Sequence, residues 1–168
     1  MTKLFVLGGA RSGKSRYAQQ RAEALTGNHI FIATAEAWDE EMADRIARHR
    51  ADRDARWHTV DAPRDLVAAL DAASGTGAVV LVDCLTLWAS NLLLADADMD
   101  AATDALAEAI ARFEGELILV ANEVGFGIVP DNALGRRFRD AAGRINQAIA
   151  AGTDEVMLIA AGLPLRLK

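Results

Sequence analysis

The chain has a single cysteine, Cys84, in 168 residues. No internal disulfide can staple it, and a reducing, cytoplasmic setting is expected. It has no apolar run approaching the ~20 residues that cross a bilayer. The apolar stretch behind Met1 is too short for a signal peptide and runs straight into a glycine-rich loop. There is no low-complexity linker and no internal repeat, so residues 1–168 read as one domain, long enough to bury a proper core. Nor is there an excess of positive charge. The formal net charge of −6 makes a surface that repels nucleic acid and anionic membranes at long range, and neither is expected as a partner. What remains is 52% hydrophobic and 25% charged residues, the proportions of an ordinary globular protein.

The charge is unevenly spread. Arg45, Arg48, Arg50, Arg53 and Arg56 crowd one short segment. A basic strip in an acidic chain suits a small polyanion better than a long one.

Strand-like runs fall at Leu4–Leu7, Ile30–Ala33, Trp57–Val60, Val79–Val82, Leu117–Val120 and Val156–Ala160, with a short edge strand at Leu165–Leu167. Several are continuously apolar, as strands buried on both faces are. Helical stretches lie between them, at about Lys14–Leu25, Asp39–Asp52, Arg64–Ala73, Leu85–Leu94, Asp100–Phe113 and Asn132–Ala151. This alternation predicts an α/β fold with a doubly wound, mostly parallel sheet. Ligands of such sheets sit at the carboxyl ends of the strands.

The first of those ends reads Gly8-Gly9-Ala10-Arg11-Ser12-Gly13-Lys14-Ser15 and matches the phosphate-binding loop G-x-x-x-x-G-K-[ST]. Its glycines let the backbone turn its N–H groups inward around a β-phosphate. The helix that follows aims its positive end at the same place. Lys14 can reach the β- and γ-phosphates, and the Ser15 hydroxyl can ligate Mg²⁺. A chance match in a chain this long is on the order of a few in a thousand, so nucleotide binding is the firm expectation.

A strand ending in an acid that holds Mg²⁺ should accompany such a loop, and Val79–Val82 runs into Asp83. Taken alone, Asp83 could equally cap the helix at Leu85; beside Gly8–Ser15 the metal role is favoured. Cys84 reads as a small buried apolar residue. The sequence Ala121-Asn122-Glu123-Val124 keeps one Asn of the guanine-reading Asn-Lys-x-Asp pattern but neither its Lys nor its Asp, which disfavours a switch GTPase.

Of three histidines, His29 is expected at the surface before a strand and His58 half-buried within one. His49 lies in the basic strip. Arginines four residues either side disfavour its protonated form and attract a triphosphate. Those conditions suit attack by an imidazole nitrogen on an α-phosphate. On residue chemistry alone, a solvated basic helix carrying an incidental histidine is the stronger reading.

The segments GGARSGKSRYA, FIATAEAWDEEMADRIARHRADRDARWHTVDAP, LVDCLTLWASNLL and ANEVGFGIVPDNALGRRFRDAAGRINQAIA change that balance. They resemble, in order and over nearly the whole length, the bifunctional adenosylcobinamide kinase/adenosylcobinamide-phosphate guanylyltransferase family. The most specific pieces are R-I-x-x-H-R with W-x-T downstream, and N-E-V-G-x-G-I-V-P. The resemblance implies a P-loop, RecA-like fold and a homotrimer. It also implies two reactions late in adenosylcobalamin assembly. The first is phosphorylation of adenosylcobinamide by ATP or GTP. The second is transfer of GMP from GTP to adenosylcobinamide phosphate through a guanylylated histidine, with pyrophosphate released. His49 matches that histidine, and Arg48 stands where some relatives carry a second one. The implied nucleotide contacts are Gly8–Ser15, Ala33, Thr34, Ala35, Arg50, Ala51, Asp52, Arg53, Asp61 and Asp83, with Mg²⁺ on Ser15 and Asp83. Without the resemblance, Asp61 reads as a turn residue ahead of Pro63.

Two other classes remain open on the sequence. A simple small-molecule kinase would transfer a γ-phosphoryl group with His49 idle. A nucleotide-gated binding module would hydrolyse slowly and answer to a partner.

Overall fold

The structure is a computed structural model and describes residues 1–36, 40 and 54–168. The helix expected over 39–52 therefore lies, apart from Glu40, outside the described residues. The described elements are β1 (Lys3–Gly8), α1 (Lys14–Glu23), β2 (His29–Ala33), β3 (Trp57–Asp61), α2 (Leu66–Ala73), β4 (Val79–Asp83), α3 (Leu85–Leu94), α4 (Met99–Arg112), β5 (Glu116–Asn122), α5 (Ala133–Gly152), β6 (Glu155–Ala160) and β7 (Leu163–Arg166). Each expected strand is present within a residue or two.

The strands form one sheet in the order β3-β2-β4-β5-β1-β6-β7. All pairs are parallel except β6–β7. The apolar runs sit at the sheet's centre because both their faces are covered. Alternate residues of β1 separate cleanly: Phe5 and Leu7 join α2, α3, α4 and α5, while Leu4 and Val6 join α1. Helices thus cover both faces, as a doubly wound sheet requires. The same parity runs along β4, with Val80 and Val82 on the many-helix face and Val79 and Leu81 on the α1 face.

Helix starts follow their caps. Asp98 accepts hydrogen bonds from the Asp100 and Ala101 N–H groups at 3.1 and 3.0 Å, and Asn132 from Gly135 N–H at 2.6 Å. Cys84 Sγ accepts from Leu87 N–H at 3.4 Å at the head of α3. The α1 helix begins differently. Its N-cap is Gly13, in the left-handed region at φ 94°, and no side chain caps it.

Two histidines differ from expectation. His29 is fully buried. β2 begins at His29 itself, and the ring Nε2 lies 2.9 Å from the Ala22 carbonyl, donating to the last turn of α1, with the Trp57 ring 4.8 Å away. His58 is exposed, on β3 at the edge of the sheet, where only one side of the strand has a neighbour.

A two-pronged ion pair fastens α1 to the sheet. Arg21 Nη1 and Nη2 donate to Glu155 Oε1 and Oε2 at 3.1 and 2.8 Å, and Nη1 also meets the Tyr17 hydroxyl at 2.8 Å. The hydrogen bond from Arg21 holds the Glu155 carboxyl below its ordinary range. A carboxyl lowered in the folded state contributes stability that is fully present above its unfolded value of about 4.3 and is lost as pH falls through the folded value. Glu155→Gln should therefore cost about 1 kcal/mol at pH 7, a figure discounted for the partial exposure of the pair. The gap from wild type should close in urea titrations carried down through pH 4. A gap that stays constant with pH would contradict this role for the pair.

Candidate active site

The register of the sheet gathers the functional positions. Ala33 pairs with Asp61 on one side and Asp83 on the other. Gly8 pairs with Asn122 and Ile159. Side chains alternate across a strand. Since Leu81, Val120 and Val6 face α1, so do Asp83, Asn122 and the bare Cα of Gly8, two residues on. Asp61 shares parity with Trp57, which packs into the same layer. Five strand ends thus meet at one edge, with Gly8, Ala33, Asp61, Asp83 and Asn122 turned to the face that carries α1.

Gly8 through Ser15 form the β1–α1 junction. A β-carbon on Gly8 would collide with the Ser12 side chain and lie 2.8 Å from the Ile159 carbonyl oxygen, so only glycine fits. Its own carbonyl accepts from Glu123 N–H at 3.0 Å. Ser12 N–H bonds Gly9 O at 3.3 Å, and Arg11 sits at φ 55°. The loop leans on the β6–β7 turn: Gly162 N–H donates to Ser12 O at 2.8 Å, and a β-carbon on Gly13 would lie 3.3 Å from Gly162 Cα. Lys14 Nζ folds back onto Gly9 O at 3.2 Å, which keeps its charge over the loop. Successive N–H groups around an uncapped helix start make an anion seat.

Asp83 closes β4. The N-cap of α3 is Cys84, not Asp83, so the capping alternative for this carboxylate does not describe the fold. The Asp83–Cys84 peptide is cis. Burial, with the Asp83 charge next to it, pushes the Cys84 thiol up to about 11, which makes it the inert residue that was expected. Two strand spacings, about 10 Å, separate β4 from β1, and four, about 19 Å, separate β3 from β1. Asp83 is therefore near the phosphate seat, and Asp61 is at the far end of the same edge.

Thr34 and Ala35 follow β2 as expected, but the Thr34 hydroxyl is committed to the backbone. Fully buried, it donates to Cys84 O at 2.7 Å and accepts from Cys84 N–H at 2.9 Å. Asn91 Nδ2 in turn donates to Thr34 O at 2.8 Å and to Pro63 O at 2.9 Å. Thr86 Oγ1 accepts from Asn122 N–H at 2.6 Å. Sequence reasoning missed this framework. The signal was there: Thr86 and Asn91 interrupt the otherwise apolar face of Leu85–Leu94, and both are buried. His49, Arg50, Ala51, Asp52 and Arg53 lie outside the described residues. Among the described residues no cluster of three or more His, Cys, Asp or Glu side chains could hold a metal. No helix among them is long and apolar enough to cross a membrane.

Comparisons with known proteins converge on one family. The model of the family described as cobinamide kinase / cobinamide phosphate guanyltransferase matches residues 4–167. The bifunctional adenosylcobalamin biosynthesis protein CobP of Pseudomonas aeruginosa is 48% identical over 165 residues, 97% of this chain and 95% of its own. CobU of Salmonella typhimurium, named as a bifunctional adenosylcobalamin biosynthesis protein, is 41% identical over 183 aligned residues, 98% of this chain and 99% of its own. More distant structures share the fold alone. A Pyrococcus horikoshii protein has a TM-score of 0.58 at 9% identity, covering 99% of this chain and 86% of that one. An ATPase of a bacterial type III secretion system has a TM-score of 0.58 at 13% identity, covering 98% and 56%.

The Thr34 bridge makes a sharp prediction. Thr34→Val keeps the shape and strips both buried partners from the Cys84 main chain, which should cost about 2 kcal/mol or more in urea unfolding. Thr34→Ser, which retains the hydroxyl, should stay within about 1 kcal/mol of wild type. Equal losses in the two variants would mean that the hydroxyl is not what holds β2 to β4 at this edge.

Proposed function

This chain belongs to the cobinamide kinase / cobinamide phosphate guanyltransferase family, and from that premise we propose that it performs both reactions on one nucleotide seat. The observation that carries the reading is the family match over 4–167 on a chain whose β1–α1 junction is built to hold phosphate. In the first reaction the side-chain hydroxyl oxygen of adenosylcobinamide attacks the γ-phosphorus of ATP or GTP, and the nucleoside diphosphate leaves. In the second, an imidazole nitrogen of His49 attacks the α-phosphorus of GTP. The bond to the β-phosphate breaks and pyrophosphate departs. A phosphate oxygen of adenosylcobinamide phosphate then displaces the imidazole, giving adenosylcobinamide-GDP and a free histidine.

The described residues support roles for the rest. The N–H groups of 8–13 and the start of α1 cradle the triphosphate, and Lys14 neutralises charge on the departing oxygens. Ser15 and Asp83 offer a hydroxyl and a carboxylate oxygen. That donor set suits a hard cation, which takes its remaining ligands from phosphates and water. A bound Mg²⁺ would add positive charge where the pyrophosphate develops its negative charge. Asp61, about 19 Å from β1 across the sheet, is too far for the phosphates and suits the ribose or base. Ala33 and Ala35 flank that path, and Arg50 to Arg53 would follow the nucleophile along the chain. We read residues 1–168 as a single unit that assembles as a homotrimer and works in the cytoplasm.

The simple-kinase alternative differs in one measurable way. Wild-type protein incubated with GTP and Mg²⁺ should gain the mass of a GMP group, measured intact under non-acidic conditions. The adduct should be labile to acid and absent from His49→Ala. An unmodified mass in folded wild-type protein would leave the kinase reading or the binding module. Lys14→Ala should slow both half-reactions by about a hundredfold or more, because both need the same triphosphate in place. Guanylylation that survives this substitution would require two separate nucleotide seats.

A further inference from the structure

β1 and β5 are neighbours in the sheet, yet the helices that follow them lie on opposite faces. α1 packs with Leu4 and Val6, whereas α5 packs with Phe5 and Leu7. Such a divergence opens a crevice at the strand ends. The phosphate loop 8–13 forms its wall on the α1 side. The connection 123–132 leaves toward α5 and forms the other wall.

That second wall carries an unusual load. Phe126, Ile128 and Val129 are 86%, 97% and 61% exposed. They are three large apolar groups within four residues of a loop, where polar residues would cost nothing. The loop is also fastened at both ends. Glu123 N–H is bonded to Gly8 O at 3.0 Å, Gly125 N–H to Glu123 Oε1 at 2.6 Å, and Arg136 Nη1 to Pro130 O at 2.9 Å. An apolar crest held open to water, rooted on the first residue of the phosphate loop, is a contact surface for something that must approach the phosphates.

The geometry points to this crest as the seat of the corrinoid acceptor, an inference that rests on the proposed function. In-line displacement at phosphorus requires the attacking oxygen on the side opposite the leaving oxygen. With the nucleotide over the α1 side, the acceptor enters from the α5 side, past residues 125–130. A corrinoid is a broad disc with a methyl-studded rim and a long arm bearing the reacting hydroxyl or phosphate. The rim rests on Phe126, Ile128 and Val129 while the arm spans to the seat at 8–13.

Equilibrium dialysis against adenosylcobinamide, and separately against GTP, tests it. Phe126→Ser and Ile128→Ser should each raise the Kd for adenosylcobinamide about tenfold, the loss of one buried apolar side chain. The Kd for GTP should stay within twofold. Phe126→Leu should recover most of the loss. Leu94→Ser, at a 61% exposed apolar site where α3 ends, away from these strand ends, should bind adenosylcobinamide as wild type does. Unchanged affinity in the serine variants overturns the inference. So does a loss of affinity that comes with a changed molar mass in light scattering, which would assign the crest to contacts between copies of the chain. Wild-type protein that binds no adenosylcobinamide and takes up no GMP would overturn the functional reading itself, and the crest's role with it.

Discussion

At Gly8 strand β1 ends with no room for a β-carbon: the Ser12 side chain fills the place where one would stand, and the Ile159 carbonyl lies 2.8 Å from it. This crowding fixes the site. It presses the phosphate loop against β6, and the Gly8 carbonyl is held at 3.0 Å by the N–H of Glu123, the residue just past β5. The loop is therefore gripped from both neighbouring strands before any ligand arrives. Gly13 at φ 94° then turns the chain directly into α1 without a side-chain cap. The first turn of α1 starts at Lys14, whose Nζ folds back onto the loop. An anion seat needs donors that are already oriented, because donors that must reorganise when the ligand binds contribute less to holding it. The close packing at Gly8 supplies that orientation.

Parallel pairing extends the effect across the sheet. Every strand from β1 to β6 points the same way, so all their loops open at one edge. The residue parity set by the two core layers then decides which face each terminal side chain takes. Asp83 and Asp61 need no long-range contact to be aligned. They are aligned because Leu81 and Trp57, two and four residues earlier, pack into the α1 layer. Buried apolar positions in the strands thus aim the polar ones at their ends.

Much of this was legible in the sequence, and what was not has a physical reason. Continuous apolar runs located the strands because strands buried on both faces cannot contain anything else. The phosphate loop was legible because a few obligatory residues stand in one short, fixed frame. His29 was misplaced because its burial depends on an α1 carbonyl and on Trp57 across the pair, neither of which periodicity records. His58 went the other way, since an edge strand is identified only by what fails to lie beside it. The Thr34–Cys84 bridge joins residues 50 positions apart, and the Gly162 brace on Ser12 joins residues from opposite ends of the chain. Such contacts come from topology. The catalytic assignment of His49 came from the family resemblance, because a histidine among arginines on a basic strip is ordinary in itself.

Two chemistries on one triphosphate impose a further constraint. Attack at the γ-phosphorus and attack at the α-phosphorus come from different directions, since each must oppose a different leaving oxygen. A site with one open side could serve only one of them. The divergence of β1 and β5 gives this edge two sides. On the proposed reading, the acceptor takes the side of residues 123–132 for phosphoryl transfer. The row from Asp83 to Asp61 would then hold the nucleotide extended over the α1 side. An extended nucleotide exposes its α-phosphate along its length, between the seat at 8–13 and the base about 19 Å away. On that reading, arginines reaching the α-phosphate would leave the γ-phosphate to Lys14. The segment bearing Arg50 and Arg53 joins β2 to β3 in the chain, and these are the two strands whose ends lie beyond Asp83 along that row. On the proposed reading, the strand order from β1 through β4 to β3 would run parallel to the order from phosphates to base along the nucleotide.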